Sequence, residues 1–332
     1  MDPLSQGVVG AVVAQQPAKH KHYIIATLLG FFSGLAPDLD ILIKSSHDPL
    51  LSLEFHRQFT HSVFFIPIGG IICATFFYYL FLRNASITFR QTLFYCTLGY
   101  ATHGFLDSFT SYGTQQFWPL TDYRVAWNTI SVIDPLFTAP LLILVVLAVI
   151  KKNKLISYSA LSWVFLYSIF GFIQKDRAEF MALDLALSRG HTPSHILAKP
   201  SFGNLILWKT IYTTESQYHV DAIRLSFKKK VIPGTKIDKL NLQKSFPWLD
   251  VNSQQAKDIE RFRWFSNGYL SLSPNFPNRI IDVRYSMFPN DVNALWGIEL
   301  DPEANEEDHV KRVFNRRNHI DVYLKLLNMI AE

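Results

Sequence analysis

Four short clusters of histidine and aspartate interrupt an otherwise apolar N-terminal half. They are Pro37-Asp38-Leu39-Asp40, His56-Arg57-Gln58-Phe59-Thr60-His61-Ser62, His103-Gly104-Phe105-Leu106-Asp107 and Asp134-Pro135. His103 and Asp107 stand at i and i+4, so one helix face presents both, and an imidazole with a carboxylate there can bind one cation. His56 and His61 are five apart, which fits a loop entering a helix. Asp38 and Asp40 are two apart, which fits irregular backbone offering both carboxylates to one site. Ionisable groups near a membrane are costly, so they pair, bind ions or do chemistry. Mixed imidazole and carboxylate ligands suit zinc, manganese or iron better than calcium. The expected cofactor is a divalent metal, zinc or manganese first.

Each cluster also has a plainer reading. A lone His-x-x-x-Asp is often a structural pair. Asp38 and Asp40 can cap the segment that follows, Asp134 can cap a helix opening at Pro135, and Arg57 can anchor at the interface. The convergence of four clusters is what favours a site. Among the other histidines, His20 and His22 sit between lysines and read as solvated charge. His191 and His195 flank Pro193 in a loop and read as non-ligands. His219, His309 and His319 read as surface or strand residues.

The elements that must position these clusters are apolar runs. Leu4 to Gln16 predicts a short helix with Pro3 in its first turn, too short to span a bilayer that needs about 20 residues. Longer runs cover Tyr23–Ile43, Val63–Leu82, Gln91–Phe109, Ile133–Ile150 and Leu155–Ile173. This predicts about five transmembrane helices plus the short first one. Pro67 and Gly69-Gly70 suggest a kink or close packing in the second run. The expected fold class is a membrane all-α domain over residues 1–175, followed by a small soluble α+β domain over 176–332. In the second region, a helix is expected at Asp176–Ser188 and strands at Asn204–Tyr212, Tyr218–Phe227, Gly268–Leu272, Arg279–Tyr285 and Leu295–Leu300. Further helices are expected at Ser253–Phe265 and Glu306–Met329.

Charge orients the membrane domain. On one face fall Lys19, Lys21, Arg83, Arg90, Lys151, Lys152 and Lys154; on the other fall Lys44, Arg57 and Arg124. The positive-inside rule makes the first face cytoplasmic. All four clusters and the C-terminal domain are then expected on the extracytoplasmic side. Trp118 and Trp127 are expected at the bilayer surface.

The bulk numbers agree with a membrane protein. Of 332 residues, 49% are hydrophobic and 18% charged, where a soluble domain carries about 25% charged residues. The net charge of +5 follows from loop lysines and arginines, and no basic run interleaves with aromatics, so no nucleic acid partner is expected. The only cysteines, Cys73 and Cys96, lie inside apolar runs as packing or lipid-facing residues, which excludes a disulfide framework and a cysteine zinc site. The start lacks the basic n-region of a cleavable signal peptide.

Together MDPLSQGVVGA, PDLD, HRQFTHS, HGFLDSFTSYGTQQFWP, DYRVAWN and VIDPL resemble the inner-membrane metal-dependent hydrolases of the YdjM type, the LexA-regulated-type membrane hydrolases. The motif order covers roughly residues 1–140, and SFGNLILWKTIY, RFRWFSNGY and IIDVRY are similar to a longer branch of that family. The resemblance implies metal-site positions at Asp38, Asp40, His56, His61, His103 and Asp107. Many members carry Thr-His near the N-terminus where this chain has Ser5-Gln6, so that histidine is absent and Gln6 is left to hydrogen-bond within the site. The implied activity is metal-assisted hydrolysis in an integral, multi-pass inner-membrane protein. One or two cations would be held by His61, His103, Asp107 and one or both of Asp38 and Asp40. His56 would be a ligand or general acid/base, and Arg57 and Arg124 would hold a substrate phosphate or carboxylate. The position at the bilayer face points to a lipid or lipid-linked ester or phosphoester. The alternative is a non-enzymatic metal-binding scaffold of the cell envelope. A transporter fits less well, because transporter sites lie near mid-membrane.

Overall fold

Residues 1–226, 228–315 and 319–331 are described by a computed structural model. The chain divides into two compact units. The first contains residues 1–42, 55–173 and 202–204; the second contains 43–54, 174–201 and 205–332.

The first unit is helical. Helix α1 (Pro3–Gln15) starts where Asp2 caps the Ser5 amide and Pro3 takes the first turn, a position whose missing N–H would be unsatisfied anyway. The helix is as short as its apolar run predicts. Its valines and alanines are buried on nearly every side. Helix α2 (Tyr23–Leu35) lies against it so closely that a Cβ on Gly10 or Gly30 would overlap the other's carbonyl oxygen. Pro37 prevents α2 from continuing as an α-helix, and the chain tightens into a 3-10 stretch, Ala36–Leu42, that carries Asp38 and Asp40.

After a short α3 (Leu51–Phe55), a 3-10 turn at Phe59–His61 leads into α4 (Ile66–Phe77), which ends in a π-turn at Tyr78–Leu82. Helix α5 (Phe89–Ser108) opens with a capping box between Thr88 and Gln91. Its residues Thr92, Cys96, Gly99, Tyr100, His103 and Asp107 are all buried, and they follow helical spacing along one face. Helix α6 (Pro135–Lys151) is capped by Asp134, and α7 (Lys154–Ser188) runs 35 residues without a break. The separate helix expected at Asp176–Ser188 is therefore the end of α7.

The expectation of about five spanning helices is not met. Among the described residues, His20–Leu42 and Lys154–Ser188 are long and apolar enough to cross a membrane, with up to three spans if the pair Leu51–His61 and Ile66–Leu82, bent by 84°, counts as one. Apolar run length overcounted, because α5 carries threonines, tyrosines, His103 and Asp107, and α6 has only 17 residues. His22 corrects another expectation: it is buried, with Nε2 2.8 Å from the Ser86 carbonyl oxygen. Cys73 and Cys96 are buried free thiols in the helical core, hence packing residues.

The second unit holds two antiparallel four-stranded sheets. The first pairs β1 (His195–Pro200), β2 (Leu207–Thr213), β3 (Gln217–Leu225) and β4 (Lys229–Asp238) in sequence order. The second pairs β5 (Leu270–Leu272), β6 (Arg279–Asp282), β7 (Trp296–Glu299) and β8 (Lys311–Phe314) likewise. Helices α8 (Leu242–Ser245), α9 (Gln254–Phe265) and α10 (His319–Ala331) complete the unit. The charged helix expected over Glu306–Met329 is corrected: its first part holds strand β8, and α10 starts at His319. Residues 316–318 of that expected helix, and Phe227 of an expected strand, lie outside the described residues.

Arg261 on α9 binds three carboxylates. Nη2 stands 2.7 Å from Asp48, Nη1 2.8 Å from Asp258, and Glu54 completes the set. This fixes the segment 43–54 in the second unit.

Candidate metal centre

Three of the four sequence clusters meet in the helical unit. Asp38 comes from the 3-10 stretch after α2, His61 from the turn before α4, and His103 and Asp107 from one face of α5. One ligand atom from each of these four residues lies within 4.8 Å of the others. His61 Nε2 is 3.5 Å from Asp38 Oδ1 and 3.5 Å from Asp107 Oδ2. His103 Nε2 is 3.2 Å from Asp38 Oδ1 and 3.9 Å from Asp107 Oδ2. Ligands about 2.0–2.1 Å from a tetrahedral centre sit about 3.3 Å from one another. The four measured edges bracket that value.

The hydrogen bonds made by the two imidazoles turn their Nε2 atoms to the middle of this group. His103 Nδ1 is 2.6 Å from the Gly34 carbonyl oxygen. A carbonyl only accepts, so Nδ1 carries the proton and Nε2 presents its lone pair. The Thr60 hydroxyl donates to Asp40 Oδ2 at 2.8 Å, so it accepts from His61 Nδ1 at 3.0 Å. In the neutral ring that binds a metal, His61 Nε2 then also presents a lone pair. The Nε2 atoms of His61 and His103 are buried without a hydrogen-bond partner, while Asp107 Oδ2 is ion-paired with Arg57 Nε at 3.0 Å. Buried polar atoms are seldom left unpartnered. Two imidazole lone pairs and two carboxylate oxygens turned on one point fit a divalent cation, and imidazoles held through Nδ1 are how ligating histidines are usually oriented.

Asp40 orients rather than converges. Its Oδ1 lies 2.7 Å from His56 Nδ1, while Oδ2 accepts from the Arg57 amide at 3.0 Å and from Thr60. A second group of possible ligands, Asp38, Asp40 and His56, shares Asp38 with the first. The side chains of His56 and Asp38 are 34% and 27% exposed, so they form the open edge of the site.

Arg57 has φ 67°, the left-handed region, which is uncommon for a residue with a side chain. The turn aims its amide at Asp40 and its guanidinium at Asp107, with Nε 3.0 Å from Oδ2 and Nη1 donating to Thr110 at 3.0 Å. Arg124 is buried and donates from Nη2 to the Gly113 carbonyl at 2.9 Å. Neither guanidinium is presented to solvent. Gln6 reaches the site as expected, donating to Asp107 Oδ1 at 2.8 Å, and the Met1 amino group pairs with the same oxygen.

Asp134, the fourth cluster, does not join the ligand groups. It caps α6 through the Leu136 amide at 3.1 Å and accepts from the Tyr167 hydroxyl at 2.8 Å. Sequence reasoning gave no role to Thr60 or to the Gly34 carbonyl. The position of Thr60 between the two histidines of HRQFTHS was the one signal available; a carbonyl carries none. Gly104 was also missed. A Cβ there would overlap the His61 carbonyl oxygen, so α5 touches the His61 turn only because residue 104 has no side chain.

A profile of the YdjM inner membrane protein family matches residues 1–178, which includes every residue of the cluster. The uncharacterized protein YfhP of Bacillus subtilis (strain 168) is 33% identical over 124 residues, 37% of this chain and 36% of YfhP. That similarity spans just over a third of either protein. No solved structure matches the chain.

Proposed function

This chain belongs to the YdjM inner membrane protein family, and on that premise we propose that it is a membrane-bound, metal-dependent hydrolase of a lipid or lipid-linked ester or phosphoester. The observation that carries the reading is the pair of unpartnered imidazole nitrogens on His61 and His103, facing carboxylate oxygens of Asp38 and Asp107. A bound divalent cation supplies Lewis acidity at the scissile group and brings the pKa of water towards 7. Zinc or manganese suits the donor set, and Asp38, common to both groups of possible ligands, would be shared between them if two ions were held.

The protein's own residues divide the remaining work. His56, half-exposed and backed by Asp40, is the proton carrier. In the hydrolysis the ester bond breaks, the hydroxyl of water joins the acyl or phosphoryl group, and a proton reaches the leaving alcohol through His56. Arg57 is a positioning residue, because its guanidinium is committed to Asp107 and Thr110. Arg124, the other arginine expected to hold a substrate anion, is likewise buried, with Nη2 committed to the Gly113 carbonyl.

The test is hydrolysis of phospholipid esters by the metal-loaded full chain in vesicles. Release of product by wild type, lost in His103→Ala, supports the reading. Absence of turnover with metal bound, together with capture of a partner by the C-terminal domain, would favour a metal-binding envelope scaffold instead.

A further inference from the structure

A groove of about 920 Å³ lies within the helical unit, between α2 and α4, and the metal centre does not account for it. Its walls are exposed large side chains, Leu28 and Phe32 on α2 and Ile72 and Phe76 on α4. Its floor is Gly69, Cys73 and Tyr100. The recess exists because residue 69 is glycine: a Cβ there would overlap the Tyr100 ring. Thr60 and Tyr100 carry the only side-chain oxygens in the lining, and the Tyr100 hydroxyl donates to the Thr60 carbonyl at 2.9 Å.

The groove ends at the ligand cluster. Leu39, 64% exposed, stands between Asp38 and Asp40 and lines the groove. Thr60, on the same lining, donates to Asp40 and adjoins His61. An apolar channel therefore runs into the open edge formed by Asp38 and His56.

We propose that this groove holds one acyl chain of a bilayer glycerophospholipid, with the headgroup ester region at Asp38 and His56. The inference rests on the metal-dependent hydrolase reading and narrows its substrate to a lipid that enters sideways from the membrane. Three features favour this occupant. From Ile25 to Leu35 the α2 wall rises about 15 Å at about 1.5 Å per residue, the ~15 Å depth of one leaflet. That length suits one acyl chain and is short for a polyprenyl tail. The volume falls within the range of about 300–1,000 Å³ usual for ligand sites. The walls are large branched and aromatic side chains, whereas helices that dock in membranes use small residues to approach closely.

The test uses the full chain in detergent, stripped of lipid and then given palmitoyl-oleoyl-phosphatidylglycerol, with bound lipid counted by native mass spectrometry and metal measured on the same samples. Wild type retains one lipid per chain. Leu28→Trp with Ile72→Trp fills the groove and retains lipid about tenfold more weakly, equivalent to roughly two buried methylenes, at unchanged metal content. Ile24→Trp and Ile71→Trp, exposed residues outside the lining, retain it as wild type does. Equal retention by the groove-filled variant overturns the groove assignment while leaving the metal centre standing. A photo-crosslink from position 72 to a protein rather than to lipid overturns it too. Lipid retained by a wild type that binds no metal overturns the hydrolase reading, and with it the substrate role of the groove.

Discussion

Gly104→Ala tests the contact that joins the two halves of the metal centre. The new Cβ would lie 3.2 Å from the His61 carbonyl carbon and overlap the carbonyl oxygen. An ordinary contact is about 3.5 Å, so α5 and the His61 turn must part by about 1 Å. The obstacle is backbone on both sides, so no side chain can swing away. His103 and Asp107 ride on α5 and His61 on the turn, so the edges now at 3.5 and 3.9 Å widen together. Misplacement of about 1 Å costs roughly 100-fold where geometry is demanding, and metal binding should weaken by that order. Overpacking costs about 1–3 kcal/mol, against the up to about 1 kcal/mol that alanine gains over glycine in a helix. The net effect is a mild loss of stability with a large loss of affinity. Competition with a chromogenic chelator on the full chain measures the affinity, and Phe94→Ala, an exposed site on the same helix, is the control. Metal binding within threefold of wild type in Gly104→Ala would refute the geometry.

Two other perturbations follow from contacts already described. Asp40→Asn keeps the shape beside His56 and His61 but removes the charge behind both imidazoles; metal affinity should fall about 10–100-fold, as for other orienting carboxylates, and less than in Asp38→Asn, by the same chelator competition. In the second unit, burial pushes the Lys209 ammonium down to about 7, opposed by Asp291, while Nζ donates to Ser286 and to the Asp291 carbonyl, each at 2.7 Å. An unfolded lysine titrates near 10.4, so between about pH 7 and 10 the unfolded chain binds a proton that the folded one lacks, and stability rises with pH by up to about 1.4 kcal/mol per unit. Chemical denaturation of the full chain across that range should show the rise, and Lys209→Met should flatten it.

The residues of the site were more legible than the elements that carry them. His103 and Asp107 could be paired from helical spacing alone, and the structure sets both on the buried face of α5. The Asp38 and Asp40 pair was legible as a pair but not in its division of labour, because which carboxylate turns inward depends on the 3-10 geometry forced by Pro37. Arg57 reads as a surface cation, and nothing in its type announces a left-handed backbone and a burial against Asp107. Span counting failed where apolar content and helical continuity diverge: Val63–Leu82 is a uniform run, yet α4 starts only at Ile66, after a turn. Strand β4 was missed because Lys229, Lys230, Pro233 and Lys236 hide it. Charges and a proline are the usual guards of a sheet edge, and β4 is the outer strand of its sheet. Asp134 shows the converse: the plain capping role read from Asp-Pro is the role it has.

The central claim is that Asp38, His61, His103 and Asp107 hold a divalent cation. Elemental analysis of the purified full chain, beside His103→Ala combined with Asp107→Ala, tests it most directly. Wild type should carry zinc or manganese, at one ion per chain or more, and the double variant should lose the bound ion with the helical content kept. A wild type without metal, or a double variant with undiminished metal, would contradict it.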